Sequence, residues 1–274
     1  MLNNRKKILI FYAKFVVVSM LLAGAAKAGT LSGGTMTLTF NDPGNLLDGL
    51  NVDTANGGLT SYYQAGFFSN TVADISSLSE MESAPDSAVP GNLVFTVNPI
   101  SLVGTDIPYG NSLGGRNNQP TSLAWSTSED GLTDASTFSA TGQVGLDGVI
   151  LTRGSYSGSI LEGDYSFEYL ASRNNGINSG WTLVNNISFS VPDYDTRDIR
   201  VTTNGNELIL TGQLWVSPTI SAFLFGGNGQ TSAGEIGTFR LSSASAVPLP
   251  AASWLFGFGL LGLYGNKSRK KLIN

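Results

Sequence analysis

The sequence predicts an all-β domain, a single β-sandwich of jelly-roll type, and three observations carry that prediction. Apolar and polar residues alternate with a period of two in several segments, and no long stretch shows helical periodicity. From Gly131 onward, turn residues such as Gly145, Gly154, Gly163, Gly176, Pro192, Asn204-Gly205, Pro218 and Gly226-Gly227 recur roughly every 8 to 14 positions, as sandwich and barrel strands require. Glycine supplies 34 of 274 residues, against an average of about 7%, which suits many tight turns. With 41% hydrophobic residues, disorder throughout is excluded.

Arg5-Lys6-Lys7 precedes an apolar stretch that starts at Ile8, breaks at Lys14 and resumes from Phe15 to Ala26. Ala26-Lys27-Ala28 then supplies a small-x-small cleavage pattern. These are the parts of a secretory signal peptide, so residues 1–28 are read as a signal helix cut by signal peptidase between Ala28 and Gly29. An amphipathic N-terminal helix fits less well, because no charged face balances Phe15 to Leu22.

Residues 29–241 form the predicted β-domain, with two smaller β-domains as the alternative. Thr35 to Phe40 alternates threonine with apolar residues, and Leu93, Phe95 and Val97 share one face. Tyr165, Phe167 and Tyr169 face away from Ser166 and Glu168. Trp181, Leu183, Asn185, Ile187, Phe189 and Val191 share one parity, and the polar intruder Asn185 marks a bulge or a bend between two shorter strands. A type I′ hairpin at Asn204-Gly205 would set Val201 opposite Leu208 and Ile199 opposite Leu210. The segment from Asn41 to Pro90 is less regular, with an aromatic cluster at Tyr62, Tyr63, Phe67 and Phe68 and a helical turn expected near Ser76 to Glu82. Tyr109 to Pro120 reads as a loop.

A small polar linker, residues 242–246, leads to Val247-Pro248-Leu249-Pro250-Ala251, an apolar segment and the basic end Lys267, Arg269, Lys270 and Lys271. The two prolines keep the motif extended. The 15 residues from Ala251 to Gly265 would span about 22 Å as a helix, short of the ~30 Å bilayer core, so this short transmembrane helix suits transient retention. The basic end stays cytoplasmic by the positive-inside rule, which agrees with the signal peptide. Together, residues 247–274 closely resemble the PEP-CTERM sorting signal of Gram-negative bacteria in its VPLPA variant, the substrate of membrane-embedded exosortase proteases. Where the commoner form has glutamate between the prolines, this chain has Leu249. The resemblance implies export, processing at the motif, temporary anchoring in the inner membrane, and association with the cell surface or an exopolysaccharide (biofilm) matrix. It implies nothing about the activity of the domain.

Composition narrows that activity. Without histidine or cysteine there is no Ser-His-Asp or Cys-His relay, no thiolate chemistry and no ordinary zinc or haem site. All 20 acidic residues lie between Gly29 and Ala246 with six arginines and no lysine, a net of −14 that repels phosphate backbones and argues against nucleic acid. Carboxylates are the acid–base groups left in quantity. Glu162, Asp164 and Glu168 are close in sequence, but a turn around Gly163 and a solvated acidic surface are the expectation. Asp193, Asp195 and Asp198, in a loop after Pro192, are the candidate calcium ligands, but they lack the glycine and distal glutamate of an EF-hand and Arg197 offsets part of their charge, so a hydrogen-bonded turn is the favoured reading. Asp48, Asp53 and Asn56 form a weaker oxygen-rich patch. Trp125, Trp181 and Trp215 would stack on sugars if exposed and fill the core if buried. Two classes therefore compete: a non-catalytic surface or matrix protein that binds polysaccharide, which is the expectation, and a carboxylate-dependent glycoside hydrolase or lyase. An aromatic-lined face favours the binder, and a cleft with opposed carboxylates about 5 to 9.5 Å apart favours the enzyme.

Overall fold

The computed structural model describes residues 27–31, 33–44, 46, 62–68, 91–100, 117–127, 138–154, 159–187, 190–204, 207–225 and 234–244. The residues of the expected signal helix up to Ala26, of the expected sorting motif Val247 to Ala251 with its apolar segment, and of the expected turn near Ser76 to Glu82, together with Asp48, Asp53 and Asn56, lie outside the described residues. Among the described residues the strands are β1 (Lys27–Thr30), β2 (Thr35–Phe40), β3 (Tyr62–Phe68), β4 (Asn92–Val97), β5 (Ala124–Thr127), β6 (Phe138–Thr141) and β7 (Gln143–Asp147). They continue as β8 (Val149–Gly154), β9 (Ser159–Gly163), β10 (Ser166–Asn174), β11 (Ser179–Asn185), β12 (Val191–Asn204), β13 (Glu207–Val216) and β14 (Glu235–Ala244), with one helix, α1 (Pro218–Phe225). No described helix is long and apolar enough to cross a membrane.

The all-β class holds, but the architecture is a closed eight-stranded barrel, in the order β10-β11-β12-β13-β14-β2-β4-β7, and not the expected jelly-roll sandwich. Around the barrel the strands follow chain order, each antiparallel to the next, and β7 closes on β10 with Val144 opposite Phe167 and Gly145 opposite Ser166. Alternation alone cannot separate the two architectures, because both bury every second residue of each strand. The alternation itself is right: Met36, Leu38 and Phe40 on β2, Leu93, Phe95 and Val97 on β4, and Tyr165 with Phe167 are buried. Two three-stranded sheets, β1-β5-β6 and β3-β8-β9, flank the barrel. Ala28 and Gly29, the expected cleavage pair, lie in β1, opposite Ser126 and Trp125 of β5. At the other end β14 carries the barrel to Ala244, three residues into the expected linker.

Two local expectations change, and the break at Asn185 holds. The β12–β13 hairpin pairs Asn204 with Glu207 and Val201 with Leu210, so the register is shifted by two residues from the expected one. A shift of two preserves the face, which is why Val201, Leu208 and Leu210 are all buried as the pattern required. Pro218 begins a helix and is not merely a turn: Ser217 Oγ accepts the Ile220 N–H at 3.2 Å, an N-cap followed by proline at the first helical position. Asn185 ends β11, and its Oδ1 accepts the backbone N–H groups of Gly163 (2.9 Å) and Ile187 (3.1 Å).

The expected turn around Gly163 is a kink where β9 runs into β10, beside the matching junction of β7 and β8, and the Asp164 N–H donates to the Gly148 carbonyl at 2.9 Å. Gly163 has φ +152°, and a Cβ there would lie 2.2 Å from the Gly148 oxygen, so only glycine lets the two ribbons bend together. The kink turns Glu162 and Asp164 inward. Both are fully buried, contrary to the solvated acidic surface expected, whereas Glu168 is half-buried, with its pKa raised by burial and lowered in part by a hydrogen bond to Ser166. Asp193 is not in a loop: Leu183 pairs with Tyr194 and Val184 with Pro192, which leaves Asp193 as the extra residue of a bulge inside β12. It is fully buried near Glu162, Tyr165 and Tyr194, and the Tyr194 hydroxyl donates to Glu162 Oε2 at 2.9 Å.

Burial raises the Asp193 pKa well above the ordinary carboxylate range, and the Glu162 charge raises it further, against a small lowering by the Tyr165 hydroxyl. A raised folded-state pKa gives stability that is complete below the unfolded value of about 3.9 and is lost as pH rises through the folded value. Thermal unfolding of Asp193→Asn should therefore match the wild type near pH 4 and exceed it near pH 8 by about 2–4 °C, the shift that ~1 kcal/mol gives a domain of this size. Superimposable Tm-against-pH curves would contradict this placement of Asp193.

Candidate functional site

At one mouth of the barrel the β10–β11 hairpin, the middle of β12 and strand β6 enclose a concave site of about 470 Å³. Its apolar wall is made by Tyr169, Trp181, Ile177 and Ile199, and its polar groups come from Asn174, Asn178, Ser179 and Asp198. Tyr169 is 43% exposed and Ile177 66%, whereas Trp181 is only 8% exposed. Trp181 stacks on Phe167 (centroids 5.0 Å, 25°), and Tyr169 meets Trp181 edge-on at 6.0 Å. The exposed ring is thus backed by a column of aromatic side chains that reaches the core, a rigid platform of the kind that costs little entropy to present.

Local chemistry fixes the platform. Gly180 has φ +88°, and a Cβ there would lie 2.6 Å from Tyr169 Cε2, so its bare backbone lets the ring lie across the hairpin. Asn174 Nδ2 donates to the Tyr169 hydroxyl at 2.9 Å. In the turn, Asn175 Oδ1 accepts the N–H groups of Ile177 (3.0 Å) and Asn178 (2.8 Å), an Asx turn that Asn-Asn-Gly is suited to form.

Beneath the hairpin lies an ionic network that the sequence did not announce. Arg173 grips Asp195 with both arms, Nε to Oδ1 at 2.5 Å and Nη2 to Oδ2 at 2.6 Å. Asn178 Nδ2 also donates to Asp195 Oδ2 at 3.0 Å, and Asn178 Oδ1 accepts from Arg197 Nε at 2.8 Å. The Arg197 guanidinium lies 3.6 Å above the Trp215 ring, and burial lowers its pKa against the raising influence of Asp195 and Asp198. The Ser179 and Thr196 hydroxyls lie 2.7 Å apart, which ties the hairpin to β12 a second time.

The three aspartates read as calcium ligands consequently face different surroundings: Asp193 meets Glu162 and the buried tyrosines, Asp195 is held by Arg173 and Asn178, and Asp198 is exposed at the mouth. Among the described residues no group of three or more His, Cys, Asp or Glu side chains could hold a metal ion. Asp198 has φ +50° and, with Ile199, opposes Gly212 in a second bulge of β12, which sends Ile199 inward and Asp198 out. The tryptophans also separate: Trp125 is in the core, Trp181 lies between core and mouth, and Trp215 is half-buried under Arg197. Tyr169 was legible only as one member of an alternating strand, and Arg173 carried no signal because its partner is 22 residues away.

No family model matches the chain, and neither a curated protein nor a solved structure is significantly similar to it.

Because Asp195 is buried, removing Arg173 takes away its bidentate cation and leaves the carboxylate to Asn178 and the field of Arg197. Arg173→Ala should cost about 3 kcal/mol in urea unfolding, and the double variant Arg173→Met/Asp195→Leu should recover most of it. Equal stability of Arg173→Ala and the wild type would contradict the network.

Proposed function

We propose that this is an exported, non-catalytic surface or matrix protein, released from a transient inner-membrane anchor by an exosortase-type protease and bound to exopolysaccharide through the barrel mouth. The observation that carries the binding reading is the exposed Tyr169 ring, backed by Trp181 and bordered by the Asn174 amide and the exposed Asp198 carboxylate. An aromatic face takes up the apolar side of a sugar ring, and amide and hydroxyl groups beside it satisfy the ring hydroxyls. The export reading rests on the signal pattern ending at Ala28 and the tripartite tail beginning at Val247.

The competing reading, a glycoside hydrolase or lyase, needs two carboxylates facing one cleft. Among the described residues Asp198 is the carboxylate that lines the mouth, and Glu162 and Asp193 are buried among tyrosines. The platform favours retention of a sugar chain over its cleavage.

In native cells the mature protein should begin at Gly29, lack residues 251–274 by intact mass, and bind the cell's own exopolysaccharide. Tyr169→Ala should weaken that binding about tenfold, equivalent to about 1.4 kcal/mol. A mature form that keeps Lys270 and Lys271 would overturn the processing reading. Undiminished binding by Tyr169→Ala would overturn the mouth as the site, and polysaccharide turnover abolished by one Asp or Glu substitution would overturn the non-catalytic reading.

A further inference from the structure

The outer face of the barrel beside the mouth carries a second concave site, of about 600 Å³, with a different chemistry. Strand register builds it. Arg200 of β12 pairs with Thr211 of β13, and Thr211 pairs in turn with Arg240 of β14, so two arginines flank one threonine in a single cross-strand row. The next row runs from Gln213 through Thr238 to Thr39. Two inter-strand steps place the Arg200 and Arg240 stems about 10 Å apart. Both side chains are exposed, and neither has a carboxylate partner among the described residues, unlike Arg173, which is held by Asp195.

Charge makes this pairing informative. The acidic domain has only six arginines against 20 carboxylates, so its overall field disfavours anions. Two guanidinium groups without a carboxylate partner among the described residues stand out on such a surface, and guanidinium binds carboxylate or sulfate through two parallel hydrogen bonds. Between and beside the arginines, Thr39, Thr211, Gln213 and Thr238 offer hydroxyl and amide groups, which suit sugar hydroxyls, and Asp198, Ile199, Gly212 and Phe239 complete the lining. The strip and the mouth share Asp198 and Ile199, so one extended chain could occupy both.

We propose that Arg200 and Arg240 form a subsite for the acidic groups of an anionic polysaccharide, continuous with the aromatic mouth. This rests on the reading of the protein as a polysaccharide binder and narrows its ligand to glycans that carry carboxylate or sulfate. The test measures binding of the exported domain, in the full processed protein, to polygalacturonate, to neutral dextran and to phosphatidylglycerol vesicles. Polygalacturonate should bind and weaken as salt is raised. Arg200→Gln/Arg240→Gln should lose at least tenfold in affinity for it with an unchanged Tm, and Arg200→Lys/Arg240→Lys should fall between, because lysine keeps the charge but not the fork. Binding of dextran without polygalacturonate would overturn the acidic subsite and leave the polysaccharide reading standing, whereas binding of neither would sink both. Capture by the vesicles without polygalacturonate, or an undiminished affinity in the glutamine variant, would also overturn the proposal.

Discussion

The pairing of β7 with β10 is the constraint on which the rest of the structure depends. Without it the strands from β2 to β14 form an open sheet with two unsatisfied edges, and the aromatic interior is exposed along the seam. With it, Val144 and Phe167 become neighbours across the closure, and Phe167 can stack on Trp181 and lean on Phe239, with centroids 5.3 Å apart. Phe95, Tyr165, Tyr194 and Phe40 continue the packing toward the other end, at centroid distances of 5.6 to 6.2 Å. Closure therefore encloses the aromatic packing on which the Tyr169–Trp181 pair of the β10–β11 hairpin rests.

The barrel spends its polar groups differently along its length. Near the Gly163 kink, carboxylates are buried among tyrosines, an arrangement that opposes ionisation and offers no accessible acid–base pair. At the mouth, charge is neutralised by geometry: Arg173 and Asn178 satisfy Asp195, and the hairpin thus tied to β12 presents Tyr169 to solvent. The same carboxylate-rich sequence thus yields carboxylates buried among tyrosines near the kink and an arginine-paired one beneath the mouth.

Much of the local structure was legible because it depends on neighbours in sequence. The alternation in Thr35 to Phe40 and in Leu93 to Val97 identified the inward faces, and Asn185 was readable as a break. The Ser217-Pro218 capping signal was present and could have located α1. Features set by pairing between distant segments were not legible. Closure of β7 on β10, the bulges that isolate Asp193 and Asp198, and the grip of Arg173 on Asp195 all depend on register, and a period of two is silent about register when every strand obeys it. The hairpin at Asn204 shows the limit well: the face was right and the partner was off by two. The mouth was visible only as separate residues, since Tyr169, Asn178 and Asp198 come together from β10, the β10–β11 turn and β12.

Closure can be tested directly because the chain contains no cysteine. Gln143 on β7 and Glu168 on β10 are register partners, and such partners have Cα atoms about 4.5–5.5 Å apart, within reach of a disulfide. The variant Gln143→Cys/Glu168→Cys should oxidise fully to an intramolecular disulfide while folded and unfold at a higher urea concentration than its reduced form. Free thiols that persist in the folded protein, and cross-link only after it is denatured, would show that β7 and β10 are not neighbours and that the barrel is not closed.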